Sequence, residues 1–268
     1  MKEMIPKKKT YDTPILFVHG AWHGAWCWEN FMNYFAGKGF ACYALDLPAH
    51  GERRGGGENI RRQTFAGYVR EVGKTASEIG NPIIIGHSLG GYVVMKYLEE
   101  ATPPAAVLVA PLPFRHFPRT TFLKMAVQYP LTAVRFNLLL PLPVRNERMY
   151  RHLFLHNAPD EVCRKGFEQS GAESSVALTT PVVPLTWLRP RRVSSPVLVT
   201  AAEHDYFFPA RTQERTARAY RGEYRYYAGM GHNLMTEDGW ENVAGDIHDW
   251  LQAVPASIIV ARQCLEPL

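Results

Sequence analysis

The amino-acid sequence predicts an α/β fold in which helices cover both faces of a doubly wound, mainly parallel sheet of about six strands. Two observations support this prediction. Short, continuously apolar runs bounded by turn residues recur along the chain, as expected for strands buried on both faces. Stretches with helical periodicity separate most of these runs, and such alternation favours right-handed crossovers between parallel strands.

The strands and helices can be assigned in chain order. The runs predicted to be strands are residues 15–18, 40–45, 83–85, 106–110, 197–201 and, with a more aromatic composition, 224–227. The stretches predicted to be helices are residues 28–38, 64–80, 91–100, 209–221 and 240–254. Pro209 suits the first turn of its helix and Gly222 suits its end, because proline lacks an amide hydrogen and glycine tolerates left-handed backbone.

The alternation of strands and helices breaks after residue 111. Proline-rich turns at residues 140–143 and amphipathic pieces at residues 121–129 and 145–154 predict an inserted, mostly helical cap. An insertion at the carboxyl edge of a parallel sheet covers the crevice where ligands bind. The predicted division is a core of residues 11–111 and 195–255, a cap of residues 112–194, and tails of residues 1–10 and 256–268.

The charge of the chain is unevenly distributed. Residues 112–192 hold twelve Lys/Arg against five Asp/Glu, a local excess of +7 within a net charge of +5. A basic segment can attract anionic substrates or lipid headgroups, or it can form an ordinary solvated helical surface. No nucleic-acid-binding motif accompanies the charge, so we expect no nucleic-acid partner.

Signals for secretion, membrane insertion and metal binding are missing from the sequence. The first ten residues are charged, without the apolar region of a secretory signal, and no run approaches the roughly 18 apolar residues of a membrane span. The four cysteines lack C-x-x-C spacing, which indicates buried thiols in a reducing compartment. We expect a cytoplasmic protein with no metal, no cofactor and no stable membrane insertion. A homodimer is compatible with the sequence.

The segment Gly86-His87-Ser88-Leu89-Gly90-Gly91 lies between a predicted strand and a predicted helix. Glycines two residues before and after the serine remove the Cβ atoms that would clash where strand and helix approach each other. A serine on such a strained turn projects its hydroxyl out of the sheet, beside the N-terminus of the helix. This context favours Ser88 as a nucleophile over an ordinary loop serine.

A serine nucleophile needs a histidine to remove its proton and an acid to orient that histidine. Asp205 follows the fifth predicted strand, and His232 lies on a glycine-flanked loop after the sixth. Both residues are therefore expected at the edge of the sheet that carries Ser88. Glu203 is the alternative acid, although a solvated loop carboxylate is its simpler interpretation. The chain order Ser, Asp, His is characteristic of one fold.

Acyl transfer also requires hydrogen-bond donors for the developing oxyanion. The backbone N–H of Leu89, at the N-terminus of the helix, is one candidate. The loop after the first predicted strand supplies the second, with Ala21 as the best-placed residue and a simple turn at Gly20 as the alternative. Apolar side chains that are candidates for the substrate pocket, although core packing explains those of the cap equally well, are Trp22, Phe114, Phe122, Met125 and Trp187.

Four motifs in a fixed order carry a resemblance to a known family. They are His-Gly-Ala-Trp-His-Gly-Ala-Trp at residues 19–26, Asp-Leu-Pro-Ala-His-Gly at 46–51, Gly-His-Ser-Leu-Gly-Gly at 86–91 and Gly-Met-Gly-His at 229–232. Together they resemble the α/β-hydrolase fold, and within it the branch of plant methyl esterases, hydroxynitrile lyases and small bacterial esterases. The resemblance covers nearly the whole chain outside the cap. It implies that Ala21 and Leu89 donate to the oxyanion.

One position departs from the hydroxynitrile lyases of this branch. Those enzymes carry a lysine beside the catalytic histidine that helps to hold the cyanide leaving group, whereas this chain has Asn233. Epoxide hydrolases and haloalkane dehalogenases are disfavoured because they use aspartate where Ser88 stands.

The function expected from these residues is that of a cofactor-independent serine hydrolase. It would cleave a small, largely apolar carboxylic ester through an acyl-enzyme formed on Ser88. The alternatives are a lyase or a cofactor-free perhydrolase that uses the same three residues, and a ligand-binding protein with slow turnover.

Overall fold

The computed structural model describes residues 1–115, 117–183 and 187–255. Its strands, in chain order, are β1 (Lys2–Met4), β2 (Ile15–Val18), β3 (Cys42–Leu45), β4 (Ile83–His87), β5 (Ala106–Val109), β6 (Leu142–Pro143), β7 (Ala172–Glu173), β8 (Val197–Ala202) and β9 (Glu223–Tyr227). Its α-helices are α1 (Glu29–Gly37), α2 (Phe65–Glu78), α3 (Leu89–Tyr97), α4 (Arg119–Gln128), α5 (Pro130–Asn137), α6 (Glu147–Phe154), α7 (Asp160–Gln169), α8 (Ser175–Val182), α9 (Ala210–Ala219) and α10 (Trp240–Ala253). Short 3-10 helices lie at Ala25–Trp28, Gly51–Arg53, Ile60–Arg62 and Pro190–Arg192.

The central sheet has seven strands in the order β1-β3-β2-β4-β5-β8-β9. All neighbouring pairs are parallel except β1 with β3, which are antiparallel. The predicted fold class, a doubly wound and mainly parallel sheet, is therefore confirmed. Because the parallel strands share one direction, the loops after β2, β4, β8 and β9 all leave the same edge of the sheet.

Side chains on each buried strand alternate between two hydrophobic cores. On β2, Ile15 and Phe17 join the core that contains α1 and α10, whereas Leu16 and Val18 join the core that contains α2, α3 and α9. All four residues of this strand are fully buried. Burial on both faces explains why the strand is continuously apolar in sequence although its side chains alternate in direction.

The N-terminal segment differs from its prediction. The sequence predicts a tail over residues 1–10, whereas Lys2–Met4 forms the edge strand β1, with Lys2 opposite Ala44 and Met4 opposite Cys42. An edge strand of three partly exposed residues needs no apolar run, so hydropathy gave no signal for it. The predicted tail of residues 256–268 lies outside the described residues.

The segment between β5 and β8 consists of helices α4 to α8 and a small antiparallel ribbon formed by β6 and β7. Helices α4 and α6 correspond to the amphipathic pieces predicted at residues 121–129 and 145–154. The ribbon was not predicted, because two-residue strands that include Pro143 carry no periodic pattern. Among the described helices, none has the length and apolar character needed to cross a membrane.

The approach of α3 to β2 leaves no room for a side chain at Gly90. A Cβ atom there would lie less than 3.0 Å from the backbone oxygens of Val18 and His19. The helix therefore contacts the strand backbone directly, and this contact fixes the position of the turn that precedes α3.

We predict opposite effects for alanine at two helical glycines. Gly90→Ala should lower the free energy of unfolding by about 1–3 kcal/mol, because backbone atoms must move apart. Gly245→Ala is the matched control: its Cβ would make only an ordinary contact, 3.6 Å from Tyr34 Oη, so stability should rise by up to about 1 kcal/mol. Urea unfolding measures both values, and equal effects would contradict the packing argument.

Candidate active site

Ser88 occupies the sharp turn between β4 and α3. Its backbone has φ 52° and ψ −119°, which is a strained conformation for a residue with a side chain. The turn is fixed by hydrogen bonds from the N–H of Ser88 to the carbonyl of Val109 and from the N–H groups of Tyr92 and Leu112 to the carbonyl of Ser88. The structure thus holds Ser88 between a strand and a helix N-terminus, as the glycine pattern predicts.

Asp205 and His232 are in direct contact on neighbouring loops. Nδ1 of His232 lies 2.9 Å from Oδ2 of Asp205, and both side chains are buried. The other carboxylate oxygen, Oδ1, accepts hydrogen bonds from the N–H groups of Phe207 and Phe208. Because these bonds fix the carboxylate, it can orient the imidazole and stabilise its charged form.

The alternative acid, Glu203, is directed elsewhere. Its Oε2 accepts a hydrogen bond of 2.9 Å from the N–H of Gly229, and its side chain is exposed. The geometry therefore favours Asp205 as the partner of His232 and gives Glu203 a role in the structure of the loop.

Nε2 of His232 is buried and has no hydrogen-bond partner among the described protein atoms. With Nδ1–H donating to Asp205, this nitrogen carries the free lone pair of the ring. The imidazole packs against Phe207 and Phe208, at ring-centroid distances of 4.8 and 5.5 Å, and against His87, at 4.7 Å. An unpartnered basic nitrogen in this apolar setting is suited to accept a proton.

A cavity of about 660 Å³, including its open mouth, lies above the turn that carries Ser88. Ala21, Ser88 and Leu89 line it from the core, so both predicted oxyanion donors border the same space as the serine. Phe207 and Phe208, which contact His232, also line it. Other apolar walls come from the loop after β5 and from α4, α5 and α8, and include Leu112, Phe117, Ala133, Phe136, Leu178 and Val182.

The predicted pocket residues divide into two groups. Trp22, Phe122 and Met125 line the cavity. Phe114 does not line it and instead packs edge-on against Tyr220. Trp187 is 76% exposed, so its prediction is wrong. Hydropathy indicates that an aromatic side chain favours burial, but it does not indicate which surface of a cap faces the cavity.

Three histidines near the cavity are buried and neutral. Burial is the main cause that lowers the pKa of His23 to about 4 and the pKa values of His19 and His87 well below the usual range. Each ring has a hydrogen-bond contact to a backbone carbonyl, from Nδ1 of His19 to Gly20, from Nδ1 of His23 to Ala21 and from Nε2 of His87 to His232. These rings therefore brace the loops around the cavity.

His50 differs from these three residues. Burial opposes its charge, but the Glu173 carboxylate, 3.1 Å from Nε2, raises its pKa above the ordinary value. Its Nδ1 lies 3.0 Å from the carbonyl of Pro48. Since both ring nitrogens have acceptors, the contacts favour an imidazolium paired with a carboxylate inside the protein.

Glu173 connects the ribbon of the cap to the loop that carries Ala21. Its Oε2 accepts from the N–H of Trp22 at 3.3 Å, and its Oε1 accepts from Tyr68 Oη at 3.0 Å and from its neighbour Ser174. The indole of Trp22 donates to the carbonyl of Leu142, and the carbonyl of Trp22 accepts from Gly171. Three hydrogen bonds with the cap thus hold Trp22, which has a strained φ of 67°.

A second buried carboxylate supports the histidine loop. Glu237 accepts a hydrogen bond of 2.6 Å from the N–H of Gly231 and another from the N–H of His156. Burial raises the pKa of Glu237 despite these bonds. Asn233, beside His232, is also buried: its Nδ2 lies 3.0 Å from Nε2 of His23 and 3.3 Å from Tyr150 Oη.

Glu173, Glu237 and Tyr150 were not predicted from the sequence. Glu173 is one of several acidic residues in the cap, and nothing in its spacing distinguishes it from a solvated carboxylate. The pair Phe207 and Phe208 did carry a signal, because it directly follows Asp205 at the end of a strand. Within the described residues, no cluster of His, Cys, Asp or Glu is arranged to hold a metal ion.

A serine on a strand-to-helix turn, with a buried His–Asp pair at the same edge of a parallel sheet, is the arrangement typical of α/β hydrolases. The chain belongs to the alpha/beta hydrolase family, whose model matches residues 15–246.

Curated relatives match a limited part of the chain. Pheophorbidase of Raphanus sativus is 31% identical over 101 residues, covering 35% of this chain and 36% of the relative. The carbendazim hydrolyzing esterase of Nocardioides sp. (strain SG-4G) is 31% identical over 97 residues, covering 35% and 39%. Methylesterase 9 of Arabidopsis thaliana is 31% identical over 107 residues, covering 40% and 41%. The matched region thus spans well under half the length of each relative.

Solved structures match almost the whole chain at low identity. The monoacylglycerol lipase of Paleococcus ferrophilus has a TM-score of 0.70 and 20% identity, covering 95% of this chain and all of the other. An esterase of Thermogutta terrifontis has a TM-score of 0.70 and 17% identity, covering 94% and 92%. These similarities concern the fold.

We predict that Glu173→Gln destabilises the protein mainly at low pH. Without the carboxylate, buried His50 loses its counter-charge, and breaking such a pair costs about 3–5 kcal/mol. Because the folded-state pKa of His50 is raised, the pair stabilises most below about pH 6.5 and its contribution disappears as pH rises through that folded-state value. Urea unfolding of the wild type and the variant should therefore differ most in acid and less in alkali.

Tyr68→Phe is the control for this experiment. It removes one hydrogen bond to Glu173 but leaves both charges in place. Its effect on stability should be about 1 kcal/mol and independent of pH between pH 5 and pH 9, to a first approximation. A pH-independent difference for Glu173→Gln would contradict the charged state assigned to His50.

Proposed function

We propose that the protein is a serine hydrolase that cleaves carboxylic esters with an apolar acyl or alcohol group. The observation that carries this proposal is the buried contact between His232 and Asp205. Nε2 of His232 has no described partner, and the His232 ring lies 4.7 Å from that of His87, the residue before Ser88. Membership in the alpha/beta hydrolase family and the esterases among its relatives support the same conclusion.

The proposed reaction begins with attack of Ser88 Oγ on the carbonyl carbon of the ester. Nε2 of His232 takes the hydroxyl proton, and Asp205 stabilises the resulting imidazolium. The negative charge that develops on the carbonyl oxygen is stabilised by the N–H groups of Ala21 and Leu89. His232 then protonates the departing alcohol, which leaves the acyl group on Ser88. Water, deprotonated by His232, hydrolyses this acyl-enzyme and regenerates the serine.

The walls of the cavity support an apolar substrate. Apart from Ser88 and Thr132, the lining side chains in the described part of the chain are apolar, and neither of these two is charged. A charged substrate group would therefore lose its hydration without gaining a partner inside the cavity. Methyl, methylene and aromatic groups would instead gain by leaving water.

Asn233 argues against a cyanide-releasing lyase. Its side chain is neutral, buried and bonded to His23 and Tyr150, so it places no cation near His232. The alternatives of a perhydrolase and a slow binding protein are distinguished by the labelling and turnover experiment described next.

We predict that purified protein reacts covalently with a fluorophosphonate probe and that Ser88→Ala abolishes both labelling and hydrolysis of p-nitrophenyl esters. Loss of a serine nucleophile typically lowers turnover by about 10⁶-fold. Asp205→Asn should retain slow labelling, since the serine remains while the histidine loses its charged partner.

Two results would contradict this proposal. Equal labelling of the wild type and Ser88→Ala would exclude the serine as the nucleophile. Rapid labelling without ester turnover would favour the binding protein. Turnover only in the presence of peroxide and halide would favour the perhydrolase.

We also predict that Ala133→Phe shifts the chain-length preference towards short acyl groups. Ala133 lines the cavity from α5, so a phenyl group there would fill space that an acyl chain needs. The ratio of kcat/KM for octanoate to that for acetate should fall about tenfold or more. The acetate ester is the internal control, and an unchanged ratio would place the acyl chain outside this cavity.

A further inference from the structure

The outward surface of α4 and α5 is strongly apolar. Leu123 and Val127 on α4 are 66% and 74% exposed, and Leu131 and Val134 on α5, with Leu138 directly after it, are also exposed. We call these five residues the α4–α5 face. Their spacing of three or four residues within each helix places them on one side of it. Five exposed apolar side chains within sixteen residues are unusual on a protein that meets only water.

All charged residues of the segment that carries this face are basic. Residues 101–146 contain five Lys/Arg and no Asp/Glu, which equals the whole net charge of +5 of the chain. The basic residues are Arg115, Arg119, Lys124, Arg135 and Arg145. Arg119 begins α4, Lys124 lies within it and Arg145 follows α5 in the chain, and all three residues are exposed. The ammonium of Lys124 lies 3.8 Å from the centre of the Tyr206 ring. Exposed apolar side chains on a segment that carries basic but no acidic residues match the chemistry of an anionic lipid surface.

The same helices connect the α4–α5 face to the cavity. Met125 and Ala133 line the cavity from α4 and α5, on the opposite side of each helix from the exposed residues. Phe122, the residue before Leu123, is 39% exposed and also lines the cavity. A molecule that enters at Phe122 would therefore pass from exposed apolar side chains to a cavity whose described lining residues are uncharged.

We propose that the α4–α5 face docks on anionic lipid bilayers and that the substrate is an ester drawn from the membrane. The apolar side chains would enter the headgroup region while the cations contact lipid phosphates. This is peripheral binding and needs no membrane-spanning helix. A second copy of the chain is a poorer occupant, because pairing two such faces would bring their like charges together. The substrate class rests on the proposed function, whereas the docking itself does not.

Vesicle co-sedimentation tests the docking without using activity. We expect the wild-type protein to bind vesicles of phosphatidylcholine with about 30% phosphatidylglycerol, to bind pure phosphatidylcholine more weakly, and to be partly released by salt. The double variant Leu123→Glu and Val127→Glu should bind at least about tenfold more weakly, since two charges replace the apolar contact. Hydrolysis of a water-soluble acetate ester should stay unchanged, because neither side chain lines the cavity.

Tyr226→Glu is the matched control, as it places an acid on an exposed aromatic position of β9 that is 47% exposed and outside the face. Its binding to vesicles should equal that of the wild type. Absence of wild-type binding, or equal loss in Tyr226→Glu, would overturn the proposal. Light scattering that shows a dimer broken by the double variant would assign the face to a second copy instead. Loss of ester turnover in Ser88→Ala is a separate result and tests only the proposed function.

A different set of contacts carries a second inference. Glu173 is the one described side chain that bonds both His50 and the N–H of Trp22, the residue directly after Ala21. We infer that Glu173 is a positioning residue, which keeps the Ala21 N–H directed at the oxyanion. This inference rests on the proposed function. Glutamine offers a single acceptor oxygen, so it cannot replace the carboxylate towards both Trp22 and the pair formed by Tyr68 and Ser174.

Glu99→Gln is the matched control for Glu173→Gln. Glu99 is also a buried carboxylate that binds a backbone N–H of the chain leaving the cap, that of Arg189, and a cation, Lys96. It does not contact the loop of Ala21. We expect Glu173→Gln to lower kcat about tenfold to a hundredfold with little change in KM, and Glu99→Gln to leave kcat within about twofold.

Failure of the positioning role of Glu173 can be distinguished from failure of the proposed function. Equal kcat values for Glu173→Gln and the wild type, measured near neutral pH where circular dichroism shows both folded, would overturn the positioning role and leave the serine mechanism intact. Equal losses in both glutamine variants would also overturn it, because they would indicate a general effect of weakening the cap. Full activity in Ser88→Ala would instead refute the proposed function.

Discussion

The close contact between α3 and β2 is the constraint on which the candidate site depends. Because Gly90 has no side chain, the helix rests directly on the backbone of Val18 and His19. The strained turn at Ser88 lies directly before this helix, and Ala21, Ser88 and Leu89 border one cavity. Gly20 and Gly86 are confined in the same way, since a Cβ atom would lie 2.8 Å from Ser88 Cβ at the first and 2.8 Å from the carbonyl oxygen of Gly90 at the second. Close backbone packing at these glycines therefore brings the serine and both candidate oxyanion donors together.

Buried carboxylates then connect the cap to the loops of the core. Glu173 bonds the loop of Trp22, and Glu237 bonds the loop of His232 through Gly231. Each carboxylate satisfies backbone N–H groups that would otherwise be buried without partners. The cap is thus more than a cover over the cavity, since its ribbon and the end of α6 help to fix the geometry of two loops at the edge of the sheet.

Charged and neutral side chains occupy different places around the cavity and the cap. Three buried histidines are neutral, because burial outweighs their hydrogen bonds, whereas His50 has a carboxylate partner and favours the charged form. Among the described residues that line the cavity none is charged, while most basic side chains of the cap are exposed. This separation keeps the cavity compatible with apolar groups and leaves the exterior able to attract anions.

The sequence by itself determined six of the seven strands of the central sheet, the order of the motifs and the positions of Ser88, Asp205 and His232 at strand ends, because turn chemistry and hydrophobic periodicity are local properties of the chain. Only the tertiary structure decided which cap residues face the cavity, where Glu173 binds, and that Lys2–Met4 pairs with the sheet. Those outcomes depend on contacts between residues far apart in the chain, such as Glu173 with Trp22, and no local pattern records such contacts. For the same reason Trp187 was predicted to line the pocket, although it lies exposed.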